Sequence, residues 1–153
     1  MNDPTLNQFL KENPVGVIST LGPRGVEAAS VYYLVDTDGT IYFNSRRDTR
    51  KLKNILENPD VAFVAFQGSP AMTLQAKGKA EIVKDIGTIV ETYTALLKRV
   101  FSSGKIPPIL NIGMSEVELV KVTPSWMRFG NFSEKEKSDM FTILIDTDTK
   151  QSL

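Results

Sequence analysis

Between Met72 and Val83 the chain reads MTLQAKGKAEIV, apolar and polar by turns. That is the pattern of a strand with one buried and one wet face. Upstream, VGVIST (Val15 to Thr20), VEAASVYYLV (Val26 to Val35) and TIYFNS (Thr40 to Ser45) are β-rich runs. The turn-forming stretches LGPRG (Leu21 to Gly25) and DTDG (Asp36 to Gly39) separate them. Together they predict a three-stranded antiparallel meander. VAFVAF, from Val61 to Phe66, is too apolar for a solvated edge and predicts a buried strand.

Other segments switch to helical spacing. Asp3 can cap a short helix to Glu12, with Pro4 in its first turn and Leu6, Phe9 and Leu10 on one face. Asn13-Pro14 stops it. Asp48 or Thr49 can cap a second short helix carrying Leu52, Ile55 and Leu56, ended by Asn58-Pro59. From Asp85 to Phe101, the residues Ile86, Ile89, Val90, Tyr93, Leu96, Leu97 and Val100 predict one long helix with a core-packing stripe.

SSGKIPPILNIG then reads as a loop. Val117 to Gly130 reads as a strand bulged or broken near Pro124. Ser133 to Asp139 is a charge run, Phe141 to Asp146 a candidate last strand, and the remainder a frayed tail. The expectation is a single domain over 1–153, with 133–153 as charged segment, last strand and tail. Its class is mainly β with flanking helices, and hairpin-linked strands favour a closed antiparallel barrel.

Composition removes several chemistries. The chain has no Cys, hence no thiolate nucleophile, disulfide or thiolate metal site. It has no His, the commonest general base and the usual zinc or haem ligand. No metal site is expected. Basic and acidic residues number 18 each, which argues against a general nucleic-acid binder. No apolar run approaches the ~18–20 residues that cross a bilayer. The N-terminus lacks the pattern of a secretory signal. The expectation is a cytoplasmic protein without membrane contact.

Against that neutral background, Arg46, Arg47, Arg50, Lys51 and Lys53 crowd one strand-to-helix junction. Cations in a helix's first turn oppose its dipole, so Arg50 and Lys51 suggest an anion that offsets them. Phosphate suits: helix N-termini bind it, Arg clasps two of its oxygens, and Ser45 and Thr49 offer hydroxyls. A solvated face paired with Glu57, Asp48 or Asp60 is the plainer reading for Arg46, Arg47 and Lys53. There is no GxxxxGK[ST] loop and no GxGxxG after a strand.

Three segments in order resemble the pyridoxamine 5'-phosphate oxidase-like family, the FMN-binding split β-barrels. They are GVISTLGPRGVEAASVYYLVD, YFNSRRDTRKLKNILENPDVAF and LQAKGKAEIV; VTPSWMRFGNF is similar to the family's C-terminal strand. The resemblance implies a six-stranded barrel that forms a homodimer, with FMN at the subunit interface. It implies that Arg50 and Lys51 hold the phosphate and that Asn44 and Ser45 also reach the cofactor. It places the strand from Ala28 to Tyr33 along the flavin, with Ala29, Ser30 and Val31 as cofactor-binding residues and Ser30 and Val31 as the main contacts. Thr73 matches a polar residue contributed by the partner, Trp126 an aromatic near the ring, and Arg128 lies beside it.

The implied function is that of an FMN-dependent oxidoreductase acting on a small-molecule substrate or electron donor, with no catalytic side chain singled out. The alternatives are a deazaflavin-dependent reductase and a non-catalytic flavin-binding module. The chain is shorter than true pyridoxamine 5'-phosphate oxidases and lacks their C-terminal Arg-x-His element. It resembles their smaller, functionally diverse relatives, among which haem-handling proteins also occur.

Overall fold

The computed structural model describes residues 3–102, 116–133 and 140–148. Ten elements follow in order: α1 (Pro4–Glu12), β1 (Val15–Gly22), β2 (Gly25–Val35), β3 (Ile41–Arg46), α2 (Arg50–Glu57), β4 (Asp60–Gly68), β5 (Ala71–Ile82), α3 (Ile86–Ser102), β6 (Val117–Asn131) and β7 (Phe141–Asp146). The strands form one antiparallel sheet ordered β3-β2-β1-β4-β5-β6-β7, and β6 also pairs with β3. That pairing closes six strands into the expected barrel, with β7 as an added strand. Of the loop expected at Ser102 to Gly113, Ser102 instead ends α3, and the rest, with most of the charge run and tail, lies outside the described residues.

The long strand β6 explains how the barrel closes and where it splits. Its first half, Val117 to Val122, pairs with β3. Beyond a register shift it pairs with β7 from Trp126 to Gly130. Opposite, Lys77 faces Trp126 and Gly78 faces Pro124, so Ser125 is the extra residue. The bulge falls where Pro124 predicts it. Gly78 permits it: a β-carbon there would lie 2.2 Å from the Thr123 carbonyl oxygen and 2.7 Å from Pro124 Cα.

Alternate residues of every barrel strand fill the interior. Ile18, Tyr33, Ile41, Phe43, Leu74, Val120, Val122 and Met127 are fully buried. Burying each such side chain contributes roughly 1.5–3 kcal/mol. Leu6, Phe9 and Leu10 of α1 join this core, as do Leu52 and Ile55 of α2. Phe9 packs on Phe129 at 5.5 Å between ring centroids, and Tyr33 meets Phe63 edge-on at 4.8 Å. The helix α2 covers the barrel end where the β1–β2 hairpin turns; Asn13, which follows α1, bonds Gln67 at the other end.

Two expectations need correction. β4 is buried on one face only: Val61, Phe63 and Ala65 point inward, whereas Ala62, Val64 and Phe66 are exposed. A strand's side chains alternate between faces, so an apolar run supplies both a core row and an uncovered outer row. The stripe on α3 is also only partly buried. Leu96 packs with Val83 and Leu119 in a small second cluster on the outer side of β2 and β3, joined by Ile89. Ile86 and Val90 face solvent. Among the described residues no helix is long and apolar enough to cross a membrane.

Candidate functional site

The basic junction forms a corner between β3, α2 and the start of β2. Two helices carry an Asp at their N-termini: Asp3 accepts from the Thr5 and Leu6 N–H groups, and Asp85 accepts from Thr88 N–H. The start of α2 has no such cap. Thr49 occupies the N-cap position without a side-chain capping bond. Its hydroxyl instead donates to the Arg46 carbonyl at 2.9 Å and lies 2.8 Å from Ser45 Oγ. The first turn contains no acidic residue. Its free N–H groups and two cations suit an incoming anion.

The cations have different fates. Arg46 makes a two-point contact with Asp48, and Arg47 pairs with Glu118 at 2.6 Å. The plainer reading therefore fits both, although Glu118 was not among the partners expected. Lys51 is half-buried and makes no salt bridge among the described residues. Burial lowers its pKa, opposed by Asp48, so a bound anion would relieve an electrostatic strain. Arg50 is exposed and reaches Glu27 at 3.2 Å.

Glu27 is the residue that the sequence reading missed. Tyr33, Val31 and Ala29 alternate on the inner face of β2, and the same period puts Glu27 on that side at the barrel mouth. There Asn54 Nδ2 donates to its Oε2 at 3.1 Å and to Thr20 Oγ1 at 3.1 Å. Arg24 lies 3.8 Å from its other oxygen. A cavity of about 400 Å³ opens here, lined by Arg24, Glu27, Arg50, Lys53 and Asn54 among others.

Next to the corner, β2 offers an open backbone edge. β1 pairs with β2 from Gly25 to Tyr32, but β3 pairs with it only at Tyr33, Leu34 and Val35. The Tyr33 N–H points toward β1, bonding the Pro14 carbonyl. Alternation therefore turns the Ser30 and Ala28 N–H groups toward the open edge. The side chains of the predicted trio diverge. Val31 is buried and Ala29 packs on the core, and the same alternation turns their backbone N–H groups toward β1; Ser30 is exposed. Tyr33 is a core residue.

Thr73, Trp126 and Arg128 share one outer face with Ser30. Cross-strand partners lie on the same side of a sheet. One row runs Ser30, Val17, Val64, Gln75, Arg128; the next runs Ala28, Ser19, Ala62, Lys77, Trp126. Thr73 lies between Phe66 and Gly130 in a third row, buried, with its hydroxyl donating to the Ala65 carbonyl. The Arg128 guanidinium sits 4.4 Å from the Phe141 ring centroid and 5.4 Å from that of Trp126, and its Nε donates to Gln75 at 2.8 Å. A groove of about 590 Å³ crosses this face, lined in part by Ser19, Val26, Ala62, Lys77 and Ser125. Within one chain Thr73 belongs to the barrel end away from α2, so it does not join the Arg50 corner. Asn44 is half-buried on β3, and Ser45 is buried with its hydroxyl engaged by Thr49.

Comparison with known proteins agrees with this architecture. The family model for pyridoxamine 5'-phosphate oxidase matches residues 3–129. A curated relative, methionine import ATP-binding protein MetN 3 of Oceanobacillus iheyensis, is 29% identical over 77% of the chain; the match spans only 36% of that longer protein. Among solved structures, Campylobacter jejuni ChuZ superposes with a TM-score of 0.71 at 18% identity, over 92% of this chain and 58% of its own. The Vibrio cholerae heme storage protein HutZ does so at 0.62 and 15% identity, over 80% of this chain and 89% of its own. The ordered segments, the closed split barrel and a family match over most of its length agree: the chain belongs to the pyridoxamine 5'-phosphate oxidase-like family.

Proposed function

We propose that this protein binds FMN and serves as a flavin-dependent oxidoreductase on a small-molecule substrate or electron donor. The observation that carries the reading is the uncapped start of α2. It presents free N–H groups, Arg50 and a half-buried Lys51 that makes no salt bridge among the described residues, next to the open edge of β2. In this reading Arg50, Lys51 and the first turn of α2 hold the phosphate. Backbone N–H groups of Ala28 and Ser30 line the ring. FMN, when bound, supplies hydride or electron transfer; the protein supplies orientation, water exclusion and electrostatics.

The reading also requires a second copy. Thr73, Trp126 and Arg128 share the outer face with exposed Val64 and Phe66, away from the Arg50 corner. A homodimer packed through that face would cover its apolar row and bring these residues to the partner's cofactor. A deazaflavin is the alternative ligand, using the same corner with a longer anionic tail. Haem storage, the role named for the Vibrio relative, would here have to manage without any His. The absorption spectrum of purified protein, before and after adding FMN, tests the reading: flavin bands that stay with the protein through gel filtration support it. Free FMN eluting apart from colourless protein overturns it.

A further inference from the structure

The corner that is suited to a phosphate already contains an anion. Glu27 is three-quarters buried at its side chain and touches Arg50 with Oε1 at 3.2 Å. Its Oε2 is held independently by Asn54 at 3.1 Å, and Arg24 stands 3.8 Å from Oε1. Two cations thus converge on one carboxylate oxygen, one from the start of α2 and one from the β1–β2 turn. Both arginine side chains are mostly exposed.

We propose that Glu27 is a resident competitor for Arg50, displaced by an incoming phosphate and then retained by Arg24. The inference rests on the phosphate reading of the α2 corner. Its physical basis is charge compensation. A phosphate at the first turn of α2 attracts Arg50 away from Glu27. A carboxylate stripped of its cation at a mostly buried site is costly. Here Arg24 closes on the oxygen that Arg50 vacates, while Asn54 keeps the other oxygen bonded and the carboxylate in place. Glu27 thereby sets the affinity for the anionic end of the ligand without touching it, and Arg24 determines how easily Arg50 is released. Binding of the uncharged part of the ligand is left alone.

The test is a set of fluorescence titrations of the full chain with FMN and with riboflavin, which lacks the phosphate. Glu27→Gln keeps an acceptor for Asn54 and removes the competing charge. It should tighten FMN binding up to about 5-fold, the upper end for one exposed ion pair, and leave riboflavin binding unchanged. Arg24→Ala should weaken FMN binding several-fold in the wild-type background and have little effect in the Glu27→Gln background. Unchanged or weaker FMN binding by Glu27→Gln would overturn the proposal. So would an Arg24→Ala loss of equal size in both backgrounds, which marks a general charge effect. If wild-type protein binds neither flavin, this proposal and the flavin reading fail together. Circular dichroism confirms that each variant is folded.

Discussion

Asn54 donates a hydrogen bond to Thr20 across 3.1 Å, joining α2 to β1 in the interior of the barrel mouth. The Asn54 side chain also lies against Gly22, where a β-carbon would come within 2.2 Å of Asn54 Oδ1. An Asn54→Leu substitution strands the Thr20 hydroxyl and removes a donor from Glu27. Leaving such groups unpaired costs about 1–3 kcal/mol. Urea denaturation should show that loss, and FMN affinity should fall with it because α2 carries Arg50 and Lys51. Unchanged stability would mean that α2 is held by Leu52 and Ile55 alone.

Gly78 admits the bulge that turns β6 from β3 to β7. Its close neighbours are the Thr123 carbonyl and Pro124 Cα, which are backbone and cannot rotate away. Gly78→Ala should therefore destabilise the fold by about 1–3 kcal/mol, the usual cost of overpacking. Gly25 offers a contrast. A β-carbon there meets nothing within 4 Å, but the residue has φ +101°, so Gly25→Ala pays only for backbone strain. Thermal melts of the two variants distinguish a steric from a conformational penalty.

The outer face of β4 tests the assembly. Phe66 is 62% exposed and Val64 37% exposed in the single chain. Light scattering coupled to gel filtration should give about twice the 17.0 kDa chain mass. Phe66→Lys together with Val64→Glu should shift the protein to the monomer mass and weaken FMN binding. A wild-type monomer that binds FMN tightly would contradict the shared site.

Tyr33 predicts a pH effect. Burial pushes its phenol up from 10.0 to about 12, against the opposing charge of Arg99, which lies 4.9 Å from the ring centroid. The folded state thus keeps this proton where the unfolded chain gives it up. The resulting stability is fully present below pH 10, falls between pH 10 and 12, and is gone above the folded value. Tyr33→Phe should remove that part of the alkaline decline. Equal slopes for wild type and variant would show that other groups carry it.

Much of the fold is legible in the order of residues, for physical reasons. Period-two alternation marks β5, and Pro124 marks the bulge in β6, because proline cannot donate to a ladder. The Arg50–Lys51 pair stands out because it opposes the dipole of its own helix. What stays hidden depends on which face is covered. VAFVAF gives no hint that only Val61, Phe63 and Ala65 turn inward, and the apolar stripe of α3 does not reveal that Ile86 and Val90 lack a partner. Glu27 was within reach: counting back in twos from Tyr33 places it on the core side. Its contact with Arg50 and Asn54 needed the tertiary placement of α2.

The most direct measurement is a calorimetric titration of the purified protein with FMN, beside the Arg50→Ala/Lys51→Ala double variant. The wild type should bind about one FMN per chain. The double variant should retain its fold by circular dichroism and lose at least about tenfold in affinity, the scale of two charge-assisted contacts. Equal affinities for the two proteins, or no heat of binding from the wild type, would contradict the assignment of a phosphate to the start of α2.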